Sequence, residues 1–167
     1  MLSAALALPS NHIERGKVKN YRLFLLPLIA IVFLSGQFAR AESAWLHDYK
    51  KAQEEARTAH KFLLLNFTGS DWCGWCIKFD REVLSQTPFK DFARDNLVLV
   101  ELDFPRMKSQ DPDERKQNRE LAQQYGVVGF PTIVVLNSDG QKLWEFDGYF
   151  PGGPEAFVAE LQKLRKS

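Results

Sequence analysis

The sequence predicts an α/β fold, a central mixed sheet of about four strands flanked by helices. Two observations carry this. Short apolar runs at residues 62–67, 97–103 and 132–136 have strand length and strand composition. They are separated by longer stretches of helical periodicity, giving the order α-β-α-α-β-α-β-β-α. Helices between strands imply parallel pairing by crossover, and the Asn137-Ser138-Asp139-Gly140 turn makes the last two strands an antiparallel hairpin.

The first helix is expected over residues 44–60, capped by Ser43, with Trp45, Tyr49, Ala52 and Ala56 forming one apolar stripe. No strand is evident before it, and His47 and His60 are expected in solvent. Residues 62–67 read as a buried central strand. A turn at residues 68–71 follows, where Gly69 permits an unusual backbone angle. A helix then runs to about Leu84, with Phe79 and Val83 on its buried face. Thr87 followed by Pro88 signals a restart, a second short helix to about Asp95. Residues 97–103 form the next strand, and residues 104–111 a polar loop. Asp111-Pro112-Asp113-Glu114 repeats the cap-then-proline pattern with acids in the first turn, and Gly126 ends that helix after Tyr125. Glu120, Gln123 and Gln124 are its solvated face. Strands at 132–136 and 141–146 follow, then a loop at 148–154. The last helix opens at Pro154 and buries Phe157, Leu161 and Leu164.

The chain has two cysteines, Cys73 and Cys76, in Asp71-Trp72-Cys73-Gly74-Trp75-Cys76. The pair falls between a buried strand and a helix, so Cys73 meets the unpaired N–H groups and positive dipole end of that helix. Both favour thiolate, the nucleophilic form. Cys76 shares the face of Phe79 and Val83 and is expected to point inward, leaving Cys73 the more exposed. Three readings of the pair stand: redox chemistry, a structural disulfide and a metal site. A disulfide across two residues constrains the unfolded chain little. Zinc needs about four ligands, and the chain has three histidines, one of them (His12) near the start. Redox chemistry is the favoured reading; no metal and no cofactor are called for.

Charge is unevenly spread. Residues 1–41 carry five Lys/Arg and one Glu, while residues 42–167 carry 17 Lys/Arg and 20 Asp/Glu. A net −3 over the latter part argues against a nucleic-acid binder. The basic residues Arg15, Lys17, Lys19 and Arg22 precede a 12-residue apolar run, residues 23–34. That length suits an export signal, not a membrane span of roughly 20 residues. Ala39-Arg40-Ala41 places small residues for cleavage before Glu42. The expected organisation is an export signal over 1–41 and one domain over 42–167, delivered to the periplasm or secreted; an uncleaved anchor is the alternative.

The Trp72-Cys73-Gly74-Trp75-Cys76 motif after an apolar strand, the Gly129-Phe130-Pro131-Thr132 segment, the hairpin and the terminal helix together resemble the thioredoxin-like superfamily across roughly residues 44–166. Within it the chain is most similar to small exported bacterial members and to one-domain relatives of disulfide isomerases. The resemblance implies a thioredoxin fold in which Pro131 is cis and faces the cysteine pair. It implies a thiol–disulfide oxidoreductase with Cys73 and Cys76 catalytic, and with Trp72, Gly74, Trp75, Phe130 and Pro131 contacting substrate. Implied partners are proteins bearing disulfides or thiols and an electron-transfer protein in the membrane; the chain is expected to act as a monomer. A binding or chaperone-like module, or one arm of an electron relay, is the alternative. Two departures stand out. Trp75 replaces the Pro of thioredoxin and the His of the isomerases. Where thioredoxin has a buried Asp beneath the second cysteine, this chain has Asn66 or Phe67, which leaves water or Asp71 to carry the Cys76 proton.

Overall fold

The computed structural model describes residues 45–165; the expected export signal and Ser43 lie outside them. A four-stranded sheet, in the order β2-β1-β3-β4, forms its middle layer. The strands are β1 (Phe62–Thr68), β2 (Leu97–Asp103), β3 (Thr132–Leu136) and β4 (Lys142–Asp147). The helices are α1 (Tyr49–Ala59), α2 (Gly74–Phe79), α3 (Thr87–Asn96), α4 (Pro112–Tyr125) and α5 (Gly153–Leu164). A wider, π-type turn, Asp80–Leu84, extends α2.

The sheet is buried on both faces. Leu64, Leu97, Leu99, Ile133 and Val135 face Phe79, Val83, Phe89, Phe157 and Leu161 from α2, its π-type extension, α3 and α5. Leu63, Leu65, Phe67, Val98, Val100 and Val134 face Ala52, Ala56 and Leu121 from α1 and α4. Strict alternation along β1 therefore sorts its side chains between two separate cores. This explains why the strand reads as a continuous apolar run.

The expected elements are present, with three differences. The first helix starts at Tyr49, not residue 44. Asp48 caps it, its carboxylate accepting from the Lys51 N–H at 3.1 Å. The residues before it are extended: Leu46 N–H donates to the Leu99 carbonyl (2.9 Å), and Glu101 N–H donates to the Leu46 carbonyl (2.8 Å). A strand-like bridge thus precedes the helix after all. It saturates edge groups of β2 that would otherwise stay open. Second, Gln86, not Thr87, is the cap residue of α3, with Pro88 inside its first turn. Third, only one helix-connected strand pair is parallel. β1 and β2 run parallel, while β3 runs antiparallel to β1 as well as to β4.

That last difference positions the site. Antiparallel register sets Thr132, the first residue of β3, opposite Phe67 near the end of β1. The residues just before β3 and just after β1 therefore meet at one end of the sheet. Among the described residues no helix is long and apolar enough to cross a membrane.

Candidate redox site

Cys73 is the N-cap of α2, with its backbone extended and its Sγ accepting from the Cys76 N–H at 3.2 Å. A cap needs an acceptor facing the free amides of the first turn, and here sulfur fills that role. The two cysteines are disulfide-bonded, with Cα atoms 5.2 Å apart. Cys76 is 3% exposed and points into the core, as its face with Phe79 predicts. Cys73 is the more exposed of the two, but only 7% of it is accessible.

The cover comes partly from the segment that β3 delivers. The Phe130–Pro131 peptide is cis, and Pro131 is buried. The Phe130 carbonyl oxygen lies 3.7 Å from Cys73 Sγ. The Pro131 carbonyl accepts from Gly148 N–H at 2.7 Å, and the Thr132 hydroxyl lies 2.9 Å from the Asp147 carboxylate. The segment is thus held from β4 as well as from β1.

The residues expected to contact substrate separate into two kinds. Trp75 is 59% exposed, its ring 5.7 Å from Tyr149, with Lys78 Nζ 5.2 Å from its centroid. Gly74 is exposed, and a Cβ there would meet nothing within 4 Å. Trp72 and Phe130 are half-buried and packed. The Trp72 indole N–H donates to the Phe104 carbonyl (2.8 Å), and its ring meets Phe130 edge-on at 6.0 Å. Phe130 also packs on Phe104, centroids 4.9 Å apart. Trp72 therefore works as a lid over the β1–α2 turn. Gly69 is glycine because of that lid and not because of its backbone angle, which is outside the left-handed region. A Cβ at Gly69 would lie 2.6 Å from the Trp72 ring.

Asp71, considered as a proton carrier, is committed elsewhere. Its carboxylate accepts from the backbone N–H groups of Arg106 (3.0 Å), Met107 (2.7 Å) and Lys108 (3.0 Å). The Arg106 amide above all holds that carboxyl below its ordinary range, although burial opposes it. Asn66 is 5% exposed, and its Oδ1 has no hydrogen-bond partner. It shares the sheet face of Leu64, the face covered by α2. Its register partner on β2 is Glu101, which alternation places on that same face. Burial, reinforced by the neighbouring Asp103 carboxylate, pushes the Glu101 carboxyl up. The carboxyl beside Asn66 on this sheet face thus belongs to β2 and not to β1.

Sequence reasoning passed over Glu101 and Arg106. Glu101 had a signal, as the charged residue inside an apolar run. Arg106 had none, because nothing in a polar loop specifies which ring its guanidinium will meet. A groove of about 750 Å³ between α1 and the start of α4, lined by His47, Tyr49, Asp111, Glu114 and Gln117 among others, includes neither cysteine.

A thioredoxin-like domain family model matches residues 49–165. The disulfide bond reductase DsbH of Chlamydia pneumoniae is 41% identical over 128 residues, covering 77% of this chain and 76% of that protein. The thioredoxin-related protein DsbJ of the same organism is 26% identical over 141 residues, which is 79% of this chain but only 40% of DsbJ. Among solved structures, a DsbH oxidoreductase superposes with a TM-score of 0.70 at 40% identity, covering 75% of this chain and 86% of that one. The oxidised C-terminal domain of Neisseria meningitidis DsbD shares the fold, with a TM-score of 0.55 at 22% identity over 73% of this chain and all of that one. With its four-stranded mixed sheet, its Cys73–Cys76 pair at a helix N-terminus and a cis proline beside it, the chain belongs to the thioredoxin-like family.

Proposed function

We propose that this thiol–disulfide oxidoreductase works in the reducing direction, on protein disulfides outside the cytoplasm. The observation that carries the exchange chemistry is the placement of Cys73, an N-cap whose sulfur receives a helix N–H and lies against the Phe130–Pro131 segment; the reducing direction rests instead on Trp75, which sets no charge beside the pair where the isomerases have His. The helix N–H favours negative charge on Cys73 Sγ, the state that attacks. The 41% identity to a disulfide bond reductase supports the direction.

In the reduced protein, Cys73 thiolate attacks one sulfur of a substrate disulfide. A Cys73–substrate S–S bond forms, the substrate S–S bond breaks, and the departing sulfur leaves as thiolate and takes up a proton. Cys76 then gives up its proton and attacks Cys73 Sγ. The second substrate sulfur departs and is protonated, and the Cys73–Cys76 disulfide closes. The substrate gains two electrons and two protons; the protein supplies both electrons and the Cys76 proton, and solvent supplies the other proton because Cys73 enters as thiolate. Gly74 and Trp75 offer the exposed contact surface, and the Phe130–Pro131 backbone presents a carbonyl edge to an extended substrate segment. No cofactor takes part. A membrane electron-transfer partner would have to resupply the electrons, because the export signal over residues 1–41 delivers the domain away from cytoplasmic reductants. The domain acts as a monomer.

Reduction of insulin by the full chain tests the exchange. Cys73→Ser abolishes turnover, and Cys76→Ser accumulates a mixed disulfide; full activity in Cys73→Ser would overturn the assignment. Equilibration with glutathione tests the direction. A potential near about −270 mV supports a reductase, and one between roughly −120 and −180 mV makes the protein an oxidant or isomerase. An N-terminus of the exported protein near Glu42 supports the signal.

A further inference from the structure

Arg106 takes no part in the exchange just described, yet its place beside the pair is built. It is exposed in the loop between β2 and α4. Its own N–H and those of Met107 and Lys108 are gathered on the Asp71 carboxylate. The Phe104 carbonyl, two residues earlier, is fastened to the Trp72 indole. Held at both points, the loop lays the guanidinium on the Trp72 ring, its carbon 3.5 Å from the ring centroid. A guanidinium stacked on a ring keeps its N–H donors directed outward in its own plane. Among the described residues no carboxylate pairs with it.

The Asp71 carboxylate lies close by but holds the backbone amides of the loop and not the guanidinium. Lys108 Nζ lies 3.1 Å from the Ser70 hydroxyl. Lys78, on α2, sits near the Trp75 ring, its charge partly met by Glu82 at 3.9 Å. Exposed apolar groups share this region of the chain: Met107 is 77% exposed and Trp75 59%. A guanidinium stacked on the residue next to Cys73, with its donors directed outward, suits an anionic group on a bound segment.

We propose that this face selects disulfide-bearing protein segments with a carboxylate next to the attacked cysteine, the carboxylate being received by Arg106. The proposal deepens the oxidoreductase reading and rests on it. The covalent steps are unchanged; only recognition of the segment is added. Exposed pairing of this kind alters rate modestly and in a salt-dependent way.

The test uses two synthetic disulfide peptides, identical except for Glu or Lys beside the cysteine and bearing the same leaving thiol. The reduced full chain is mixed with each, and thiol release is timed. Taking the ratio of the two rates cancels any effect of Arg106 on the reactivity of Cys73 itself. The wild type is expected to favour the Glu peptide about five-fold at low salt, with the ratio falling as salt rises. Arg106→Gln brings the ratio close to one, and Arg106→Glu inverts it, which a merely less stable protein would not do. A wild-type ratio of one, or a preference untouched in both variants, overturns the proposal while leaving the exchange reading standing. Failure of both peptides to react overturns the exchange reading and this proposal with it.

Discussion

Phe157→Ala probes the packing that holds α5 against the cysteine-side face of the sheet. Phe157 is fully buried. Its ring meets Phe79 at 5.4 Å, Phe89 at 5.7 Å, Trp144 at 6.1 Å and Phe150 at 5.2 Å. Truncating a buried Phe to Ala costs about 3–5 kcal/mol, from lost transfer energy plus the cavity left behind. Ring pairs add roughly 0.5–1.5 kcal/mol beyond area, though such contributions do not sum simply. Four ring partners from α2, α3, β4 and the following loop cannot all collapse into one void. The cost therefore belongs in the upper part of the range, about 4–5 kcal/mol. Against a typical domain stability of about 5–15 kcal/mol this is a large fraction. At roughly 4 °C per kcal/mol for a domain of this size, the melting temperature drops by about 15–20 °C. Urea unfolding of the oxidised full chain, followed by tryptophan fluorescence, reads the change in midpoint at constant slope. Phe157→Leu keeps much of the volume and should cost less than half as much. A loss below about 1.5 kcal/mol in Phe157→Ala would refute the reasoning, because that is closer to a partly exposed ring than to a closed cluster.

Four further outcomes follow from the same geometry. Asp71→Ala releases three amides, so hydrogen exchange at Arg106, Met107 and Lys108 should quicken while β1 and β3 amides keep their protection; unchanged exchange would show that the loop holds itself. Because the Asp71 carboxyl lies below its ordinary value of 3.8, the ionised clasp contributes stability above that value and loses it as pH falls through the lowered one. In the wild type the loop amides should therefore stay protected down to pH 4. Glu101 has the opposite sign. Its carboxyl lies above the ordinary 4.5, so its contribution is fully present below 4.5 and is lost as pH rises through the raised value. Glu101→Gln should match the wild type near pH 4 and exceed its stability at pH 7, read from urea midpoints across pH; a less stable variant at pH 7 would refute the sign. Gly69→Ala places a methyl group 2.6 Å from the Trp72 ring. It should displace the indole from the Phe104 carbonyl, shift the tryptophan emission and lower stability by about 1–3 kcal/mol, as overpacking does.

By itself the sequence determined the elements whose signals act within a turn or two of the chain. The Asp111–Pro112 start and Gly126 stop of α4 match the structure, where Asp111 accepts from Asp113 and Glu114 and Gly126 is left-handed. The apolar runs became β1, β2 and β3 at nearly the expected bounds. The cysteine spacing, with Phe79 behind it, was enough to place Cys76 inward. Caps, prolines and periodicity are local devices, so one sequence suffices to read them. Tertiary structure decided everything that depends on which segments meet. The start of α1 moved to Tyr49 because Leu46 found open hydrogen-bonding groups on β2. The direction of β3, and with it the arrival of Pro131 beside Cys73, was set by pairing to β1, while the alternation of helices and strands alone suggested a parallel crossover. Gly69 is explained by a ring three residues away in sequence, and Arg106 by a ring thirty-four residues away. Glu101 came to lie beside Asn66 only through the register of two strands. An apolar pattern says that a face must be covered; it does not say by what. That choice is made by the free energy of the whole packed arrangement, in which distant groups compete for the same partners.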